Sequence, residues 1–203
     1  MLMRGPAGGF TLIELAVTMA VFAILVVAGL PSFATWVHDS QIRSTAELLQ
    51  NGLRQAQAEA VDRSRVVVFA LTNAQPGFGA ATAADGANWY AQALPQYTAE
   101  CSLTTYQQDA YIAGGGLGGL DHGTTVTGPT MLCFSSIGHL VAYSGTVAGV
   151  TYACSVPSAG ALESYDVANP QGDHPLRVTV SFGGQIRLCD PSRTLSSSNP
   201  DGC

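Results

Sequence analysis

The stretch GGFTLIELAVTMAVFAILVVAGL, residues 8–30, is the most informative part of this sequence. No charged residue lies between positions 15 and 37, and about 20 apolar residues are enough for a helix to cross a bilayer. Glu14 stands at the head of this run, where inserting a carboxylate costs about 3 kcal/mol or more. We therefore expect residues 10–37 to form a membrane-spanning helix in which Glu14 has a partner or a function.

Two plainer interpretations of this stretch explain less of it. The apolar region of a cleaved secretory signal is about 7–15 residues long and ends in a small-residue cleavage site, whereas here the long run begins at once behind an acidic residue. An uncleaved signal anchor would accommodate the length, but Glu14 would then be there by chance.

The hexapeptide Gly9-Phe10-Thr11-Leu12-Ile13-Glu14 follows a short leader with one arginine and resembles the processing site of type IV pilins and type II secretion pseudopilins. The resemblance implies that residues 1–9 are a leader peptide, that a prepilin peptidase cuts between Gly9 and Phe10, and that the new N-terminus of Phe10 is methylated. It also implies that Glu14 pairs with the terminal amine of a neighbouring subunit as the filament assembles.

The chemistry of Glu14 supports an intermolecular pair. A carboxylate in hydrocarbon is tolerated when it is neutralised, and a free amine at Phe10 exists only once the leader has been removed. Within one helix these two groups are separated by about one turn. A pair between neighbouring subunits is therefore the more useful geometry.

A second helical pattern follows the apolar run. One face of it carries apolar residues at spacings of three and four, as expected of an amphipathic helix: Ile42, Ala46, Leu49, Leu53, Ala56 and Ala60. The pattern predicts one helix over residues 10–62, about 80 Å long, whose residues 38–63 pack against a sheet. A break at Pro31 into two helices is the alternative.

Residues 64–203 are rich in glycine and poor in aromatic residues, which favours a loop-rich β domain and an α+β class for the chain. The pattern is clearest in the final hairpin, strands 176–182 and 185–189 around Gly183-Gly184. We also expect a first strand at 65–71 and a loop at 73–88. Further strands are predicted at 89–94, 102–106, 124–127, 131–134, 139–143 and 149–153, with a turn at 135–138.

No enzyme, metal or cofactor site is predicted. The glycine-rich segment 114–119 matches G-x-G-x-x-G only formally, because no βαβ unit surrounds it, and we expect a loop there. The cysteines and histidines lack the spacing of a zinc site, and neither a G-x-S-x-G motif nor a pair of catalytic carboxylates is present.

The five cysteines favour an oxidising compartment, in agreement with a domain outside the cytoplasm. Cys189 and Cys203 flank a loop whose closure by a disulfide would contribute about 3 kcal/mol, and we expect them to pair. Cys101, Cys133 and Cys154 allow one further bridge and one free thiol, and the sequence does not choose between them.

The C-terminal half resembles the minor pilins FimT and FimU and the pseudopilin GspH. The likeness is carried by the turn Cys133-Phe134-Ser135-Ser136-Ile137-Gly138, by the segment 184–191 and by the ending Asp201-Gly202-Cys203. It implies a minor pilin that primes or caps a type IV pilus, held in the inner membrane by one span with its globular domain in the periplasm. A GspH-type pseudopilin of a type II secretion system is the alternative.

A third alternative is DNA binding in natural transformation. Some FimT-like proteins bind DNA through a G-R-x-R motif, which here reads Gly184-Gln185-Ile186-Arg187 and lacks the first arginine. The candidate contacts are Arg187 and Arg193. The net charge of −6 and the nearby acidic residues Asp173, Asp190 and Asp201 disfavour this function, because DNA affinity depends on neutralised phosphates.

Overall fold

The computed structural model describes residues 9, 11–97, 100, 104–118, 123–158 and 160–203. The chain divides into two units, residues 1–37 and 38–203. The expected α+β class is confirmed, since one long helix is followed by antiparallel strands.

Helix α1 runs from Leu12 to Asp62 and continues through Pro31, so the alternative of two separate helices is wrong. In the first unit, the large apolar side chains from Leu12 to Val27 are exposed. Within the part of the chain that the structure describes, no helix has both the length and the apolar character required to cross a membrane. The membrane-spanning assignment of residues 10–37 therefore stays a prediction.

In the second unit, the apolar face of α1 lies against two antiparallel sheets. All six residues of the predicted stripe, from Ile42 to Ala60, are fully buried. They share one core with inward-facing residues of both sheets, among them Phe69, Leu132 and Val180. The amphipathic pattern thus predicted correctly which side of the helix is covered.

The first sheet has the strand order β3-β2-β1-β5. Its strands are β1 (Val67–Thr72), β2 (Asn88–Ala93), β3 (Tyr111–Gly116) and β5 (Met131–Phe134). The second sheet has the order β10-β9-β8-β4. Its strands are β4 (Thr125–Thr127), β8 (Leu162–Ala168), β9 (Leu176–Ser181) and β10 (Ile186–Cys189).

A two-stranded hairpin, β6 (Tyr143–Val147) and β7 (Val150–Cys154), is associated with the first sheet. Its turn residues Ala148 and Gly149 both have positive φ, the geometry that matches the twist of a hairpin. A second core cluster joins Val68 and Tyr90 of the first sheet to Tyr152 of the hairpin. Both core clusters lie within residues 38–203, so this segment contains the packing that keeps it folded.

Three local predictions are wrong. Residues 114–116 do not form a loop but belong to β3, because glycine lets this strand lie close to its neighbours: a Cβ atom at Gly114 would lie 2.5 Å from Cβ of Pro76. The segment predicted as a strand at 102–106 lies partly outside the described residues, and from Thr104 to Ala110 it forms helix α2. Of residues 139–143, Leu140 makes an isolated bridge to Phe134, and β6 begins only at Tyr143.

Two buried tyrosines give a test of the core. The hydroxyl of Tyr165 is buried without a hydrogen-bond partner among the described residues, whereas that of Tyr106 donates to the carbonyl of Ala93 at 2.7 Å. An unpaired buried hydroxyl is unfavourable, and a made hydrogen bond contributes about 1 kcal/mol. We expect Tyr165→Phe to leave the free energy of unfolding of residues 38–203 unchanged or raised, and Tyr106→Phe to lower it by about 1 kcal/mol.

Urea denaturation of the two variants measures this difference. An equal loss of stability in both would contradict the unpaired state of the Tyr165 hydroxyl.

Candidate functional site

The expected processing site precedes α1 in the sequence, since the helix begins at Leu12. Gly9 is exposed, and among the described residues no atom lies within 4 Å of the position a Cβ would take. Phe10 lies outside the described residues. Cleavage between Gly9 and Phe10 therefore stays a prediction.

Thr11 and Glu14 form the N-terminal cap of α1. The carbonyl of Thr11 accepts a hydrogen bond from the backbone N–H of Leu15 at 3.2 Å. The Thr11 hydroxyl accepts one from the backbone N–H of Glu14 at 3.3 Å. This is half of a capping box, in which threonine is the N-cap and glutamate the third helical residue. The T-x-x-E signal was present in the sequence, but its role as a cap was missed.

The cap places the Glu14 carboxylate in the first turn, where the partial positive charge of the helix N-terminus stabilises an anion by about 0.3–1 kcal/mol. Glu14 is exposed, and among the described residues its carboxylate forms no ion pair. It is therefore accessible to a cation from outside the described part of the chain.

In the second unit, Gln57 of α1 forms hydrogen bonds to two turns. Its side-chain amide donates to the carbonyl of Gly138 at 2.8 Å and to that of Gly184 at 2.8 Å. Gly184 has a φ of 81°, and a Cβ there would overlap the Gly138 carbonyl. The glycine of the tail motif is thus required by packing between the two turns.

Asp39, near the start of this unit, forms hydrogen bonds to a third turn. Its Oδ1 atom accepts hydrogen bonds from the backbone N–H groups of Asp173 at 2.9 Å and His174 at 3.1 Å. A Cβ at Gly172 would lie 2.8 Å from Cδ1 of Ile42. The connection between β8 and β9 is therefore held against α1 by a polar contact and a close approach.

Two disulfides fix the β domain. Cys189 is bonded to Cys203, the pair that the sequence favours, with their Cα atoms 5.2 Å apart. Cys133 of β5 is bonded to Cys154 of β7, with a Cα separation of 5.8 Å. The second bridge ties the hairpin to the first sheet. Cys101 lies outside the described residues.

The two arginines proposed as DNA contacts bind acceptors within the C-terminal loop. Arg193 lies 2.9 Å from a carboxylate oxygen of Asp201 and 3.4 Å from one of Asp190. Arg187 donates to the carbonyl of Pro200 at 3.3 Å. Both side chains hold the loop that the disulfide closes, and the two carboxylates offset the charge of Arg193. DNA contact stays a prediction that this geometry does not favour.

Two carboxylates in the β domain have perturbed pKa values. Burial raises the pKa of Glu100, but hydrogen bonds from the Gln96 backbone and from Arg65, together with the charge of Arg65, outweigh burial and hold it below its ordinary value. The hydroxyl and the backbone N–H of Ser192 lower the pKa of Asp190. Both groups therefore favour the folded state in their ionised forms.

Within the described ranges, no group of three or more His, Cys, Asp or Glu side chains has the arrangement of a metal site.

The N-terminal stretch matches a known family profile. Residues 5–30 match the profile described as the prokaryotic N-terminal methylation motif. This confirms the resemblance to the type IV pilin superfamily that residues 9–14 suggest. No curated protein sequence matches this chain.

Two solved structures superpose on most of this chain. The type IV minor pilin FimU of Pseudomonas aeruginosa superposes with a TM-score of 0.50 at 17% sequence identity, covering 80% of this chain and 97% of FimU. The minor pseudopilin EpsH from the type 2 secretion system of Vibrio cholerae superposes with a TM-score of 0.43 at 12% identity, covering 75% of this chain and 99% of EpsH. The likeness to FimU confirms a pilin-like fold.

The C-terminal disulfide gives a stability prediction. Replacing both Cys189 and Cys203 by serine should lower the free energy of unfolding of residues 38–203 by about 3 kcal/mol. The reason is that the unfolded chain is then no longer constrained by the disulfide. Replacing Cys133 and Cys154 should cost more, because both of these cysteines are buried, whereas in the C-terminal pair Cys189 is buried and Cys203 is exposed. Urea denaturation under non-reducing conditions measures both losses. Wild-type stability in the Cys189/Cys203 variant would contradict the prediction.

The low pKa of Glu100 gives a pH prediction. The folded pKa lies below the unfolded value of about 4.3, so the contribution of Glu100 to stability is complete above that pH and is lost as the pH falls through the folded pKa. We expect the difference in free energy of unfolding between the wild type and Glu100→Gln to shrink below about pH 4. A difference that stays constant from pH 7 to pH 3 would contradict this assignment.

Proposed function

We propose that this protein is a minor pilin, a structural subunit that enters a type IV pilus and primes or caps it. The observation that carries the proposal is the combination of a methylation motif at residues 5–30 with a pilin-like fold shared with the minor pilin FimU. Neither feature alone distinguishes a filament subunit from other anchored proteins. The role is structural, and no catalytic step is assigned to the chain.

The maturation pathway follows from this assignment. A prepilin peptidase removes residues 1–9, and Phe10 becomes the methylated N-terminus. Before assembly, residues 10–37 hold the subunit in the inner membrane with residues 64–203 in the periplasm. The uncharged run from 15 to 37 and the two disulfides support this location.

Assembly then depends on two properties of the first unit. Exposed apolar side chains from Leu12 to Val27 supply the surface that parallel helices bury against one another in a filament. The Glu14 carboxylate, unpaired among the described residues, pairs with the amine of Phe10 on a neighbouring subunit. The capped first turn fixes where this carboxylate is presented.

The assembly role of Glu14 can be tested in the host. Glu14→Val and Glu14→Ala should leave leader cleavage intact, since the cut lies outside the helix, but should reduce incorporation into sheared filaments by tenfold or more. Immunoblots of the membrane and filament fractions measure both effects. Normal incorporation of either variant would refute the pairing.

Deletion of the gene separates the pilus from the alternative machine, a type II secretion system. Loss of surface pili and twitching motility with secretion intact supports the minor pilin. Loss of type II secretion with pili intact assigns the protein to the pseudopilins instead.

A further inference from the structure

Phe33 and Trp36 form an aromatic pair on the surface of α1 in the first unit. Their ring centroids are 5.8 Å apart, because residues three positions apart lie on the same side of a helix. Phe33 is 62% exposed and Trp36 is 64% exposed. Two large rings thus lie side by side on the helix, with most of their surface left uncovered by the described part of the chain.

The position of this pair in the sequence is as specific as its geometry. Along the rest of α1 after Phe22, Phe33 and Trp36 are the only Phe, Tyr or Trp residues. They stand at the end of the uncharged run, since the first charged residue after Glu14 is Asp39. The aromatic pair is therefore located where an apolar segment gives way to a polar one.

The length of α1 between Glu14 and Trp36 matches the thickness of a bilayer. The helix is continuous over these residues, and at about 1.5 Å per residue they are separated along its axis by about 33 Å. A tilt of about 20°, the average for spanning helices, reduces this distance to about 31 Å across the membrane. The hydrocarbon core is about 30 Å thick. When Glu14 lies at one boundary of the hydrocarbon, Trp36 therefore lies at the other.

The chemistry of the two rings fits that boundary. Tryptophan has a large apolar ring and one N–H donor, so it is most stable where hydrocarbon meets the polar groups of the lipid. Trp and Tyr are enriched at both interfaces of membrane proteins for this reason. Phe33 has no polar atom in its ring and lies about 4.5 Å deeper along the axis, where it adds apolar surface within the hydrocarbon.

We propose that Phe33 and Trp36 bind the interface between hydrocarbon and headgroups on the periplasmic side of the inner membrane, and that they set the depth of α1 in the bilayer. The proposal rests on the proposed function, in which residues 10–37 cross that membrane before assembly. Movement of the helix toward the periplasm draws the Glu14 carboxylate into hydrocarbon. Movement toward the cytoplasm draws the indole N–H of Trp36 away from its acceptors.

The depth of the helix matters for Glu14. Because α1 is continuous from Leu12 onward, fixing its periplasmic end also fixes the level of its first turn. The aromatic pair thereby holds the Glu14 carboxylate at the cytoplasmic boundary, where it is presented to a neighbouring subunit.

Tryptophan fluorescence of the full-length chain in lipid vesicles measures the depth of the pair. The vesicles contain phosphatidylethanolamine and phosphatidylglycerol, with bromine atoms either near the headgroups or near the ends of the acyl chains, and bromine quenches only nearby indoles. The other tryptophan, Trp89, is buried in the core of the second unit, and Trp36→Phe gives its contribution as background. The Trp36 signal should be quenched about twofold more by bromine near the headgroups.

A reporter in the middle of the segment provides the matched control. Phe22 lies about 12 Å along the axis from Glu14, which is close to the bilayer centre in a spanning helix. Phe22→Trp combined with Trp36→Tyr moves the reporter and keeps a ring of the interfacial type at position 36. The Phe22→Trp reporter should be quenched about twofold more by bromine near the chain ends.

Removal of the aromatic pair tests whether it sets the depth. In the Phe22→Trp chain, Phe33→Leu with Trp36→Leu keeps the segment apolar but removes the interfacial preference, whereas Phe33→Tyr with Trp36→Tyr retains it. The leucine chain can move toward the cytoplasm, so its ratio of deep to shallow quenching should be about twofold lower than that of the tyrosine chain. Equal ratios would overturn the role in setting depth. Positions 22, 33 and 36 lie outside both core clusters, so unfolding of the β domain would not explain a difference.

The outcomes separate this inference from the proposed function. If the Trp36 signal is quenched most by bromine near the chain ends, the pair does not lie at the interface and the inference is wrong, but insertion into the membrane stands. If Trp36 and the Phe22→Trp reporter are both quenched most near the headgroups, α1 lies along the membrane surface and the membrane step of the proposed function fails. That step also fails if neither position is quenched.

Discussion

The second unit depends on one constraint: two sheets must bury their apolar faces on the same side of one helix. Six apolar residues of α1, from Ile42 to Ala60, are fully buried there, and three of them are alanines. Small residues let strands approach the helix closely, whereas Ile42, Leu49 and Leu53 provide most of the apolar area. The two sheets share no strand, so they are joined through the one core that both form with α1.

Polar side chains of α1 also hold turns of the β domain against the helix. Gln57 binds the carbonyls of two turns, one from each half of the β domain, and Asp39 binds a third turn at the other end of the same helical segment. Backbone groups buried at Gly138 and Gly184 need partners, and here the Gln57 side chain supplies them. Gly184, in the tail segment that resembles minor pilins, therefore meets a packing requirement that is independent of any ligand.

The features that follow from local pattern were predictable from the sequence. The buried stripe of α1 repeats with helical spacing, and the final hairpin alternates around Gly183-Gly184, so both could be located without knowing the fold. The N-terminal hexapeptide likewise showed the resemblance to type IV pilins, because its order and its position before the apolar run are specific.

Features decided by distant contacts were not predictable. Strand β3 ends in three glycines with no strand propensity, and its pairing with residues 88–92 of β2 and the approach of Pro76 place it in the sheet. The Cys133–Cys154 bridge exists because the β6–β7 hairpin is associated with the first sheet, a tertiary fact that cysteine spacing does not encode. Strand β8 mixes polar and apolar residues too evenly for its Tyr165 and Val167 to stand out.

The same limit applies to the two sides of α1. The stripe on α1 is spaced for burial within its own chain, so its period is visible in the sequence. On the other side, Glu47, Arg54 and Asp62 form no ion pair in the described part of the chain, and their spacing alone does not show that this side is uncovered. The fold shows it, because residues of both sheets share a core with the apolar stripe. A helical period therefore predicts which side of a helix is buried, but not which strands cover it.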